Sequence, residues 1–364
     1  MSAGAPVVAR GRVIAQRLFD LAYAIDLDRA RGLCADLPVI APPPGPPSFG
    51  TPPLRLQLAS IELGVGGARC RSEVSAHLYD FGVLSLALTF VAEDLAWDAF
   101  AGFLREVELA VSADGPAAPW SGLLQSIQSR VAPALDRPGA AVIQEDYQLV
   151  VVDAFREAPD AALHEAVDLA PLLAADPRPL SADARDTLLR HRFAYLADDC
   201  VVVARDRAFL YQPAGDAGVA AVLEAANAQL LELRYYDALL DAELPRMYGL
   251  VARTRSLSAL SAPGQLSRLA RRLYTLVAEV TELTGKVENA LRIAGHPYLA
   301  RVYGTTLELF DVPALAVDVD RKLAIIRDTY AALYNEAAVS RAGLLELTII
   351  VLIAVELLLP VFRH

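Results

Sequence analysis

The sequence predicts an α+β chain: an N-terminal mixed sheet and helix domain, then an antiparallel helical coiled-coil bundle, then one C-terminal transmembrane helix. Three observations predict it. Short strand patterns alternate with helical ones up to about residue 215, and beyond it apolar residues recur at alternating spacings of four and three. A nearly unbroken apolar run then extends from Gly343 to Phe362, followed by Arg363 and His364.

The elements follow in order. Residues 1–40 form a first segment, with a strand-like run at Arg12 to Ala24 and a short helix opened by Asp28 and reaching Cys34. Residues 41–53 carry seven prolines, which favour extended polyproline II and forbid helix, so this stretch reads as a stiff spacer. An α+β domain spans 54–215. In it Leu54 to Leu63 alternates, Val74 to Leu78 leads into the turn Tyr79, Asp80, Phe81, Gly82, and Val83 to Val91 reads as a buried strand. Glu93 and Asp94 then start a helix through Val107, where acids suit the helix dipole. Tyr147 to Phe155 is a strand, Ser181 caps a helix, and Cys200 to Ala204 pairs with Ala208 to Tyr211 across Arg205, Asp206 and Arg207.

The bundle spans 216–341. Its first stripe includes Leu233, Leu240, Leu244 and Met247, its second Leu273, Val280 and Val287, and its third Val319, Leu323 and Ile326. Asp237 is the polar exception in the first stripe, a residue type that fixes oligomer state or register in coiled coils, unless it turns outward. Pro245 is expected to kink or break the first helix. Links fall at Ser258 to Gly264 and Gly295 to Pro313. Residues 342–364 form the anchor, about long enough to cross a hydrocarbon core of roughly 30 Å. With Lys322, Arg327 and Arg341 ahead of it, the bulk of the chain is expected to be cytoplasmic, on a single-pass anchor in the inner membrane.

A net charge of −11 argues against duplex nucleic acid as a partner. Cys34, Cys70 and Cys200 form no CxxC, so no zinc site or disulfide framework is encoded, and no cofactor is implied. Gly64, Gly66 and Gly67 lack the context of a dinucleotide fingerprint, and Gly285 and Lys286 lack the rest of a phosphate loop.

Three groups remain as candidates. The acid-free stretch Leu244 to Ala278 carries Arg246, Arg253, Arg255, Arg268, Arg271 and Arg272, a cluster suited to anionic lipid headgroups; an RNA or ribosome contact and a solvated loop are the alternatives. Glu346 and Glu356 lie in the apolar run, where a carboxylate needs a partner, a proton or a route to the interface, and contact with another copy or membrane protein would supply one. An enzyme would need a polar pocket in the α+β domain, around Asp80, His191 and Asp199, although Asp198 and Asp199 read better as a strand-edge turn.

The segments LLELRYYDALLDAELPRMY (Leu230 to Tyr248), LTGKVENALRIAGHPYLARVY (Leu283 to Tyr303) and Asp320 to Tyr334 resemble the "required for meiotic nuclear division" family. YDFGV (Tyr79 to Val83) and AYLADDCVVVA (Ala194 to Ala204) look similar too. Eukaryotic members of that family are mitochondrial inner-membrane proteins that support organellar translation and bacterial members have no defined biochemistry, so for this bacterial-looking chain the resemblance implies translation machinery or another large assembly as the cargo and brings no catalytic residues with it. Together these readings give a non-enzymatic, tail-anchored membrane scaffold that self-associates and holds a partner assembly; the alternative is a membrane-tethered enzyme or ligand-binding protein with its site in the α+β domain.

Overall fold

The computed structural model describes residues 6–41, 49–112, 119–139, 143–157, 163, 167–174, 178–213, 215, 218–255, 262–291 and 296–358. Within the long helices the side chains of 250–255, 262–267, 269–270, 283, 286, 288, 333, 336–348 and 351–358 also lie outside the description. Two compact units result, Met1–Glu232 with Lys286–Pro313, and Leu233–Gly285 with Ala314–His364.

The first unit is built on strands β1 (Val7–Asp20), β3 (Leu54–Val65), β4 (Ala68–Leu78), β5 (Val83–Ala96), β7 (Gln144–Phe155), β8 (Arg192–Phe193), β9 (Cys200–Val203) and β10 (Arg207–Tyr211). They form one eight-stranded sheet in the order β3-β4-β5-β1-β7-β10-β9-β8. Every ladder is antiparallel except that of β7 and β10, which run parallel. A two-stranded ribbon joins β2 (Ala22–Ile25) to β6 (Leu135–Pro138). The helices of this unit include α1 (Leu27–Leu33), α2 (Trp97–Val111), α3 (Pro119–Val131), α4 (Ala170–Leu173) and α5 (Ala182–Leu188). The long helices are α6 (Val219–Arg255), α7 (Ala262–Ala290), α8 (Pro297–Leu309) and α9 (Val312–Leu358).

β1 sits mid-sheet, pairing β5 from Val7↔Ala96 to Asp20↔Val83 and β7 on its other side. Both faces of the sheet are covered, which is why β5 and β7 read as near-continuous apolar runs. On one face α2 packs Phe100 over Gly11, where a Cβ would stand 2.8 Å from the Phe100 ring. Trp97, Phe155, Phe209 and Tyr211 extend that cluster through tilted and edge-on ring contacts. On the other face Leu18, Phe81 and Val83 meet Ala221, Ala225, Ala228 and Leu231 of α6. Small alanines let that helix lie close to the strands.

A buried polar cluster fastens α6 to the sheet. Glu224 is 3% exposed. It receives the Tyr79 hydroxyl at 2.9 Å, Gln16 Nε2 at 3.4 Å and His77 Nδ1 at 2.8 and 2.9 Å from its two oxygens. Burial alone would raise its pKa, but the charge and hydrogen bond of His77, the Arg55 guanidinium and the Tyr79 hydroxyl outweigh it and hold Glu224 below the ordinary carboxylate value.

Turn chemistry is legible locally. The turn from Tyr79 to Gly82 closes as expected, with Gly82 N donating to Tyr79 O at 3.2 Å. Gly82 has φ of +104°, and a Cβ there would lie 1.8 Å from Ala22 O, so no other residue fits. Ser181 caps α5 through Ala184 N at 3.2 Å, and β9 pairs with β10 as expected, except that Arg207 belongs to the strand and the turn is Arg205 and Asp206.

Several expectations are corrected. The strand after Gly82 continues through Glu93 and Asp94 to Ala96, because β1 extends far enough to pair with it, and α2 begins only at Trp97. Asp26 rather than Asp28 caps α1. Of the kink or break expected at Pro245 the break does not occur, since α6 continues through it. The expected link after Gly295 contains α8, capped by His296 with Pro297 in its first turn.

The C-terminal transmembrane helix is overturned: among the described residues no helix is long and apolar enough to cross a membrane. The apolar run is not an independent helix but the end of α9, which starts at Val312. Glu346 and Glu356 interrupt the apolar run. The tail anchor and the single-pass inner-membrane placement fall with it, and residues 359–364 lie outside the described residues.

The second unit retains the expected seam. Leu240, Met247, Leu273, Val280, Val319, Leu323 and Ile326 are all buried.

Two stability predictions follow from the first unit. Glu224→Leu leaves His77 and Tyr79 without their acceptor and should cost about 3–5 kcal/mol in chemical denaturation. Because the folded pKa of Glu224 is lowered, its contribution is present above the unfolded value near 4.5 and lost as pH falls below it, so the gap between wild type and variant should narrow in acid. Asp20 behaves oppositely. Burial pushes its carboxyl up to about 7, and Oδ2 has no partner. Its charge therefore weakens the fold increasingly as pH rises from about 4 to 7. Asp20→Asn should raise Tm at pH 8, with the gain shrinking as pH falls towards 4; a gain independent of pH would contradict this.

Candidate functional site

The parallel pair among the described strands creates the most suggestive site. β7 and β10 align from Arg207↔Gln148 to Tyr211↔Val152, so their C-terminal ends lie side by side. Parallel strand ends feeding a helix are where open sheets place ligands. After β10 the chain turns through Gln212 and Pro213, with Gly215 N donating to Gln212 O at 2.9 Å, and enters α6 at Val219. Gly215 and Gly218 have φ of +109° and +87°. A Cβ at Gly215 would meet nothing within 4 Å, so the backbone there is open to approach.

A cleft of about 460 Å³ opens at this point, on the α6 face of the sheet. β1 contributes Arg10, Arg12 and Ile14, β7 contributes Asp153, and the far wall is Gln212, Gly215 and Ala220 in the first turn of α6. Alternation along the strands explains the set, since residues two apart share a face. Arg12 holds Asp153 with both ends of its fork, Nε at 3.0 Å and Nη2 at 2.6 Å, and Arg10 Nε stands 3.8 Å from the same carboxylate. Among the described lining residues two arginines face one aspartate. Gln212 is 9% exposed, and its Nε2 has no hydrogen-bond partner. A buried amide donor left without an acceptor is costly unless something supplies one.

A smaller cleft of about 210 Å³ lies on the opposite face. There Arg17 pairs with Asp146, Nη2 to Oδ2 at 2.7 Å, and stacks over Trp120 at 5.2 Å. Arg207 pairs with Glu108 at 2.9 Å and Asp206 at 3.2 Å. With three carboxylates against two guanidinium groups this cleft is already an ion-pair lock between sheet and helix, and it offers an anion little.

The residues singled out by sequence are placed as follows. Asp237 takes Lys322 Nζ at 2.6 Å, and Asp241 takes the same ammonium at 2.6 Å, so the polar position in the stripe is paired between α6 and α9. Arg246, Arg268, Arg271 and Arg272 are exposed. Glu243 receives Arg246 at 2.8 Å and Arg272 at 3.0 Å, so two of the six are compensated by an acid just before the acid-free stretch. The side chains of Arg253, Arg255, Glu346 and Glu356 lie outside the described residues. Asp80 and Asp199 do not converge: β4 and β9 are five strand positions apart, about 24 Å. Asp199 Oδ2 instead accepts Leu196 N at 3.1 Å within its turn. Among the described residues no cluster of histidine, cysteine and acids could hold a metal ion.

The family model described as the N-terminal domain of uncharacterized protein MJ0711 matches residues 10–217. The chain belongs to that family. It is similar to uncharacterized protein MJ0711 of Methanocaldococcus jannaschii, at 24% identity over 177 residues, 48% of this chain and 53% of the relative. The match therefore spans about half the length of that curated relative. No solved structure matches the chain. The matched region contains every lining residue of the larger cleft except Ala220 of α6.

Sequence reasoning did not find Arg10, Arg12, Asp153 or Gln212. A signal existed: the strand Ala208 to Tyr211, then Gly215 and Gly218, then a helical stripe from Val219. A domain boundary drawn at 215 separated the strand from the helix it feeds.

The Lys322 clasp yields a prediction for the second unit. Lys322→Met should lower stability by roughly 1 kcal/mol in urea denaturation, while Asp237→Asn, which keeps a hydrogen bond to Lys322, should lower it less.

Proposed function

We propose that the α+β unit is a binding module for a small anion of the phosphate class, held in the cleft between the β7 and β10 ends and the first turn of α6. The observation that carries this reading is Gln212, nine-tenths buried with an unpartnered amide in the wall of that cleft. The amides and positive end of a helix N-terminus favour an anion, Gly215 before it leaves the backbone open, and Arg10 and Arg12 add charge.

Isothermal titration of the full chain with inorganic phosphate tests it. A Kd on the order of 1 mM or tighter is expected, weakening about ten-fold in Gln212→Leu and again in Arg10→Gln, and weakening with added salt. Absence of phosphate binding, or equal binding by Gln212→Leu, would defeat the reading.

A second reading, self-association of the helical unit as part of a scaffold, is supported by exposed aromatic side chains. Tyr274 and Tyr334 are 60% and 59% exposed, and both stack on Tyr330, at 5.8 and 6.0 Å. Tyrosines are favoured contact residues at protein interfaces. Sedimentation equilibrium should show association that Tyr274→Ala with Tyr334→Ala weakens; a monomer at all concentrations would end this reading.

A further inference from the structure

We infer that the occupant of the α6 cleft is a phosphorylated sugar, with ribose hydroxyl groups bound by Asp153 and Gln212. The inference rests on the anion reading above and concerns the organic part of the ligand. The cleft, at about 460 Å³, is much larger than one phosphate needs and lies in the ordinary range for organic ligands.

Register places the two residues together. Val152 pairs with Tyr211, so Asp153 and Gln212 stand next to each other one position beyond the last ladder pair, both lining the cleft with Val151 and Leu210 two residues before them. Asp153 is an acceptor whose oxygens, although bound by the Arg12 fork, each keep a further lone pair. Gln212 Nε2 is an unused donor. An acceptor and a donor side by side complement the hydroxyl groups of a polyol, each of which donates and accepts.

Their place relative to the helix completes the argument. A phosphate seated on the first turn of α6 after β10 puts the attached sugar over the end of the neighbouring parallel strand, where Asp153 lies. An acid at that place beside a strand, glycine turn and helix is how dinucleotide-binding sheets hold ribose hydroxyls. The fixed Arg12 fork holds the Asp153 carboxylate in one orientation for that task.

The test is titration of the full chain with inorganic phosphate, ribose 5-phosphate, 2-deoxyribose 5-phosphate and adenosine 5′-monophosphate. Ribose 5-phosphate should bind at least about ten-fold tighter than phosphate, and 2-deoxyribose 5-phosphate should lose much of that gain. Asp153→Asn, checked for a native circular dichroism spectrum, should remove the preference for ribose 5-phosphate while leaving phosphate binding in place. The wild-type comparison of the two sugars stands even if that variant does not fold. Tighter binding of adenosine 5′-monophosphate than of ribose 5-phosphate supports a nucleotide as the source of the sugar, and equal or weaker binding supports a free sugar phosphate. If phosphate binds but ribose 5-phosphate gains nothing, the sugar inference is overturned and the anion reading survives. If neither binds, both fall.

Discussion

The buried Glu224 carboxylate is the constraint on which the first unit depends. It lies one helical turn into α6 and receives hydrogen bonds from β1 through Gln16, and from His77 and Tyr79 of β4 and the turn after it. A charge removed from water is tolerable only when its partners are fixed, so the helix can dock in one register and at one depth. That docking sets where the first turn of α6 sits, and with it the far wall of the larger cleft. The same strands that bury Glu224 thus position Ala220 opposite Arg12 and Asp153.

β1 joins the two faces of the sheet. Its odd positions, Gly11, Val13, Ala15, Arg17 and Phe19, face the α2 side, where Gly11 admits Phe100 and Arg17 lies on Trp120. Its even positions, Arg12, Ile14, Gln16 and Leu18, face α6, grading from the charged cleft to the Glu224 cluster and then to the apolar contact with Phe81 and Val83. One strand therefore carries two different chemistries because its side chains alternate. A shift of register by a single residue would exchange them.

The two clefts differ in a way that burial alone does not show. Both contain two arginines. In the smaller, Asp146, Glu108 and Asp206 outnumber them and bind the sheet to α2. In the larger, among the described lining residues, one aspartate faces two arginines beside a helix N-terminus and an unpaired amide. The balance of charge, rather than the presence of arginine, separates an internal lock from a site with capacity left over.

Local order was legible in the sequence. The turn at Gly82, the Ser181 cap, the β9–β10 hairpin and the helical seam through Leu240, Leu273 and Val319 all rest on near neighbours or on a fixed period, which chain composition states directly. Apolar length alone misled at Gly343 to Phe362, because a run of apolar residues does not say where its helix begins. The tertiary structure alone decided the rest: that residues 1–40 supply the central strand, that β7 and β10 are parallel, and that Arg12 meets Asp153 across 141 positions of sequence. The reason is physical. Turns, caps and periods are set by local backbone geometry, whereas strand order and the pairing of distant charges are chosen by which arrangement buries both sheet faces and leaves the fewest polar groups without partners.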